Sequence, residues 1–144
     1  MRKNREAFLP NLAAALNNQA IRQSEMGQRA EALQSIQEAV KIRRELVGKN
    51  REAFLPDLAL SHGAWGNVLL RCENPMEAAE KFAEGIRLIT PLARKLPQAH
   101  FRLALMLSQR YREAAAAAGM APDPECTWPL EAMERGNPEA GDEE

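Results

Sequence analysis

Lys-Asn-Arg-Glu-Ala-Phe-Leu-Pro occupies positions 3–10 and returns unchanged at positions 49–56. An unbroken match of eight residues, mixing charged, aromatic and imino side chains, marks a tandem duplication with a spacing of 46 residues. A period of this size is the length of one supersecondary unit, which buries its apolar face by stacking on its neighbours. Superposing the copies also pairs Leu12 with Leu58, Ala13 with Ala59, Glu31 with Glu77, Ala32 with Ala78 and Glu38 with Glu84. A weaker echo begins at Leu96-Pro97, 41 residues after Leu55-Pro56.

The pattern inside each unit is helical. In the first, Asn4 can cap a short turn and Pro10 suits the first position of a longer helix, where a missing N–H costs nothing. Leu12, Leu16, Ala20 and Met26 then recur at roughly helical spacing until Gly27-Gln28, a natural stop. A partner helix from about Arg29 turns Ala32, Leu33, Ile36, Ala39, Val40, Leu46 and Val47 inward. It turns Glu31, Gln34, Glu38, Lys41 and Glu45 outward, and Gly48 is expected to end it. In the second unit Pro56 is expected to open a helix running to about Arg71. Asn74-Pro75 marks the turn, and Pro91 predicts a kink or early end near Ile89-Thr90 in the partner helix. Pro97 opens a fifth helix that stops at Gly119. A short helix over 129–135, capped by Thr127, offers Trp128, Leu130 and Met133 as a lid on the last hairpin, between tail segments at 121–125 and 137–144.

Composition agrees with helix. The chain of 144 residues is 45% hydrophobic but only 5% aromatic, with Ala and Leu prominent, which favours closely packed helices over sheet. The net charge of −1 conceals a body of +6 over residues 1–120 and a tail of −7 over residues 121–144. Cys72 and Cys126 have no metal or redox spacing and read as two free thiols. No apolar run approaches the ~18 residues of a membrane span, and the N-terminus lacks the apolar core of a signal peptide. A cytoplasmic protein is expected, with no membrane partner. Because the duplicated octet begins at residue 3, either the chain is part of a longer array or its first hairpin lacks a polar capping unit.

Gly27, Glu31-Ala32-Leu33, Ile36, Ala39 and Ile42 together resemble the second half of a tetratricopeptide repeat. Ala20, Ala32 and Ala39 stand where that family places small residues at its helix crossings. Gly66, Ala78 and Gly85 follow in the second copy, with Phe82 as the large residue of the second helix. The 46-residue unit exceeds the family's period of about 34 and is similar to long-period bacterial arrays with a recurring Ala-Phe-Leu-Pro junction. The resemblance implies an all-α, right-handed superhelical solenoid of antiparallel hairpins. Its units would be 3–48 and 49–95, with a degenerate closing helix at 96–120 and an acidic, Pro-containing tail at 121–144.

It also implies a concave groove lined by the first helix of each unit. The corresponding positions are Ala14, Asn17, Ile21 and Ser24, then Leu60, Gly63, Asn67 and Leu70. By the 41-residue echo the third set is Phe101, Ala104, Ser108 and Tyr111. Such a groove is apolar and small-residue, without a Lys/Arg–Asn pair to clamp a free carboxylate. The expected partner is therefore a protein or peptide, met as an apolar helix or extended segment.

Other readings are weaker. His62 lacks a second His, Cys or carboxylate cluster and reads as a partly buried imidazole bonded to a carbonyl. The Lys41-Ile42-Arg43-Arg44 run lacks interleaved aromatics and reads as a solvated helix face, not a nucleic-acid surface. No Gly-rich phosphate loop, nucleophile–base pair or facing carboxylates occur, so neither enzyme activity nor a cofactor is expected. Three roles remain: a protein-interaction scaffold, a self-associating piece pairing through its first hairpin as a homodimer, or a regulatory sensor domain.

Overall fold

The computed structural model describes residues 2–136, with side chains from Ala7 onward. The expected cap at Asn4 and the acidic stretch 137–144 therefore lie outside the described side chains. The described residues form six helices and no strand: α1 Arg2–Glu25, α2 Arg29–Lys49, α3 Arg51–Arg71, α4 Pro75–Lys95, α5 Pro97–Ala117 and α6 Pro124–Glu134. Each helix packs on the next in sequence, while α1 also meets α3, α3 meets α5, and α4 meets α6.

The period of 46 governs the helices as well as the octet. α2 and α4 begin at 29 and 75, and α3 and α5 begin at 51 and 97. Left-handed backbone recurs at the same interval, at Gly27 (φ 79°), Glu73 (φ 60°) and Gly119 (φ 69°). Each of these turns is closed by the same reverse bond: Gln28 N–H to Gln23 O at 2.8 Å, Asn74 N–H to Leu69 O at 2.9 Å, Met120 N–H to Ala115 O at 2.8 Å. The structure thus carries the 46-residue register into the third unit, and the 41-residue echo does not survive.

The duplicated octet forms the joint between units. Asn50 alone connects α2 to α3. Its N–H donates to Leu46 O, and its Oδ1 accepts from Ala53 N–H at 3.2 Å, so one extended residue closes one helix and caps the next. This explains why α3 starts before Pro56. With the cap at Asn50, Pro56 sits in the second turn, after five helical residues, and sacrifices one backbone bond. Pro10 lies inside α1 in the same way. Gly48, expected as a stop, is a helical residue within α2.

Pro91 does not end its helix either, since α4 continues to Lys95. Its ring lies on the exposed side, and the preceding Thr90 bonds its Oγ1 to Ile86 O at 2.6 Å. The closing helix begins five residues earlier than the expected 129, because Asp123 rather than Thr127 caps it, Oδ1 accepting from Glu125 N–H at 3.0 Å.

The core runs between the hairpins. Ile36, Phe82, Ile86, Ile89 and Leu107 are fully buried, as are the crossing residues Ala32 and Ala78. Burying each large side chain contributes roughly 1.5–3 kcal/mol. Trp128, 46 residues after Phe82, covers α5 through Phe101 (ring centroids 6.0 Å apart) and donates Nε1–H to Thr90 Oγ1 at 2.9 Å. Leu130 is also buried, whereas Met133 is exposed. No described helix is long and apolar enough to cross a membrane. Cys72 and Cys126 are free, and burial pushes the Cys126 thiol up from its ordinary pKa.

Candidate functional site

α1, α3 and α5 stack side by side, and one face of this row stays open. Register at 46 residues aligns Ala14 with Leu60 and Met106, Asn17 with Gly63 and Gln109, Ile21 with Asn67 and Glu113, and Ser24 with Leu70 and Ala116. Each set steps by three or four residues and so occupies one side of its helix. Three of the large apolar side chains left exposed lie on this face: Ile21 at 37%, Leu60 at 42% and Met106 at 39%.

At the C-terminal ends of these helices the face deepens into a cavity of about 390 Å³, lined by Ile21, Ser24, Glu25, Asn67, Leu70, Arg71 and Arg110 among others. That volume lies within the roughly 300–1,000 Å³ range of ligand pockets. Four of the expected groove residues (Ile21, Ser24, Asn67 and Leu70) meet here. Ser24 Oγ is buried and has no hydrogen-bond partner among the described residues.

The remaining expected residues are placed differently. Asn17 is buried and engaged, its Oδ1 accepting from Ser61 Oγ at 3.0 Å. Leu60 stands open toward the other end of the face. Phe101, Ser108 and Tyr111 are buried beneath α6 and its approach. Ser108 Oγ donates to Cys126 O at 2.7 Å, and Tyr111 Oη accepts from Asp123 N–H at 2.8 Å. Met106 takes the third place on the open face, with Arg110 one turn along. A helix register in error by five residues turns a side chain by more than a quarter-circle, enough to exchange exposed for covered positions. Arg71 and Arg110 also place cations beside Asn67, so the cavity is less purely apolar than expected. The recurrence of the turn at Gly27, Glu73 and Gly119 is the sequence signal that finds this register.

Behind the face, a buried polar chain ties the first three helices together. Arg43 donates to Asp57 O at 3.0 Å and Ser61 Oγ at 2.7 Å, and Ser61 Oγ in turn donates to Asn17 Oδ1. On the opposite side of α3, His62 is 1% exposed, with Nδ1 3.0 Å from Leu58 O and Nε2 2.9 Å from Glu84 Oε2. Burial pushes the His62 pKa down, and the Leu58 carbonyl and Glu84 counter this only in part. Among the described residues no group of His, Cys, Asp and Glu is placed to hold a metal ion.

No protein-family model, curated protein or solved structure matches the chain.

Proposed function

We propose that this chain is a protein–protein interaction module, a tetratricopeptide-like array that receives an apolar peptide segment on the face formed by α1, α3 and α5. In this reading the helices are antiparallel hairpins of a right-handed superhelix, acting in the cytoplasm without enzymatic activity and without nucleic-acid or membrane partners. Exposed Leu60 and Met106, in register on α3 and α5, with exposed Ile21 at the cavity further along the same face, carry the proposal. Isolated exposed apolar residues need no explanation, but a row of them along one face is the form of a recognition surface. Asn67 would bond the backbone of the bound segment while Leu60 and Met106 meet its side chains.

Selection from a displayed library of random dodecapeptides tests this directly. Enriched sequences should be apolar-rich, and Leu60→Asp with Met106→Asp should weaken their binding at least roughly tenfold, given the ~1–3 kcal/mol typical of such anchors. Helical content should not change. Binding that ignores both substitutions would exclude this face.

A second reading has its own observation. Phe8 is 59% exposed and Leu12 and Leu16 are only half-buried, whereas Leu58 and His62, their counterparts to Leu12 and Leu16, are covered. Among the described residues α1 packs on α2 and α3, whereas α3 packs on α1, α2, α4 and α5. Self-association through the Phe8 side of α1 would bury it.

A further inference from the structure

On the side of α3 turned away from the open face lies a second cavity, of about 300 Å³, lined by Arg44 of α2, Arg51 and Leu58 of α3, and Glu84, Arg87 and Leu88 of α4, with His62 at its wall. Three guanidinium groups converge here from three different helices. Among the described residues Arg44 and Arg51 have no hydrogen-bond or ion-pair partner. Arg87 reaches Asp123 at 3.2 Å, with both side chains well exposed. Glu84, the acid of the cavity, is already committed to His62 Nε2 at 2.9 Å and lies 3.7 Å from Lys81 Nζ. The three arginines of the lining outnumber its one carboxylate, so the cavity carries a net positive charge.

Like charges gathered around a concave, partly apolar wall repel one another, and field lines focus into such a cleft. A bound anion removes that repulsion. Guanidinium groups are matched to planar or tetrahedral oxyanions, which they hold through paired N–H donors. Leu58 and Leu88 supply an apolar wall against which an organic group could rest.

We propose that the Arg44–Arg51–Arg87 cavity binds a small phosphate-type anion, free or as a monoester, independently of the peptide-binding face. Nothing in this site depends on the groove, since Leu58 and His62 lie about half a helical turn away from Leu60, Asn67 and Arg71.

Titration of the whole chain with inorganic phosphate, phenyl phosphate and acetate at constant ionic strength tests the proposal, with the His62 imidazole signals followed by NMR. Saturable shifts of His62 with phosphate or phenyl phosphate, but not acetate, are expected. The anion should also raise the pH at which His62 titrates, because it offsets Arg44. Tighter binding of phenyl phosphate than of phosphate would place an ester against Leu58 and Leu88, and the reverse order would assign the free ion. Arg44→Gln and Arg51→Gln, both at exposed positions, should each weaken binding roughly tenfold, as expected for loss of a charge-assisted bond. Absence of saturation with either phosphate compound overturns the proposal. So does equal binding by acetate, or binding unchanged in both variants.

Discussion

The ring of Phe82 rests directly on Gly66, so closely that a Cβ added at Gly66 would stand 2.6 Å from two ring carbons. Phe82 is fully buried and cannot swing aside. Gly66→Ala should therefore lower stability by about 1–3 kcal/mol, the usual cost of overpacking, despite its better helix propensity. Gly48 is the matched control: it lies inside α2 with nothing within 4 Å of its Cβ position. Gly48→Ala should stabilise by roughly 0.5–1 kcal/mol. Chemical denaturation of both variants checks the pair, and a Gly66→Ala midpoint at or above the parent's would refute the close crossing.

That contact was legible in the sequence as a small residue, Gly66, on one helix of the hairpin and a large one, Phe82, on the other, whereas Gly85, on the helix of Phe82 itself, comes close to Ala59, His62 and Leu107. The helical content, the turns at Gly27 and Gly119 and the cover from Trp128 were legible for similar local reasons. The starts of α2, α4 and α5 were legible too, near Arg29, Pro75 and Pro97, but those of α1, α3 and α6 were not. Proline rules favour the first turn, but Asn50 caps from six residues upstream, and the preference is overridden for the loss of one backbone bond. The third groove set was lost through a register decided on two residues, Leu96-Pro97, whose likeness to Leu55-Pro56 is not structural. One Leu-Pro pair lies within a helix and the other spans a joint. Arg71 and Arg110 escaped notice because a cavity between helices depends on tertiary stacking that no single helix encodes.

Glu73 occupies the left-handed position that glycine fills at Gly27 and Gly119. A side chain there costs on the order of 1–2 kcal/mol, part of which glycine's greater unfolded freedom returns. Glu73→Gly should raise stability by about 0.5–1 kcal/mol, read as a higher denaturation midpoint. A destabilised variant would show that the Glu73 side chain contributes more than its backbone strain costs.

The buried His62 makes stability depend on pH. Its folded pKa lies below the ordinary value, chiefly through burial, with Arg44 adding to the effect and the Leu58 carbonyl and Glu84 opposing it. The unfolded chain therefore takes up the proton first. Stability should be full above about pH 6.5 and should fall as pH drops below it toward the folded pKa. Comparing denaturation at successive pH values for the parent and His62→Gln isolates this contribution, since the variant should lose the slope while other carboxylate effects remain. An NMR titration placing the folded His62 above its ordinary value would reverse the sign and refute the account.

Trp128 closes the last hairpin from α6. It is nearly buried, lies against Phe101, bonds Thr90 and has the Arg94 guanidinium 5.0 Å from its ring. Trp128→Ala should cost about 3–5 kcal/mol. Removal of residues 121–144 should go further, baring Phe101, Ser108 and Tyr111 and raising the binding of an apolar dye. A truncated chain with unchanged stability and no added dye binding would mean that α6 is dispensable as a cover.

The first hairpin tests whether an uncovered repeat face seeks another copy. α1 presents Phe8 in the open, with Leu12 and Leu16 half-buried, and among the described residues it packs on α2 and α3. A two-fold dimer would set the same patch against itself and remove this apolar area from water. Sedimentation across a hundredfold concentration range should then show a monomer–dimer equilibrium. Phe8→Lys should shift that equilibrium toward monomer by weakening the apolar contact and placing like charges together. Because Phe8 is exposed in the single chain, the substitution should leave monomer stability nearly unchanged, which separates lost association from lost folding. A parent chain that stays monomeric throughout the range would reject the dimer.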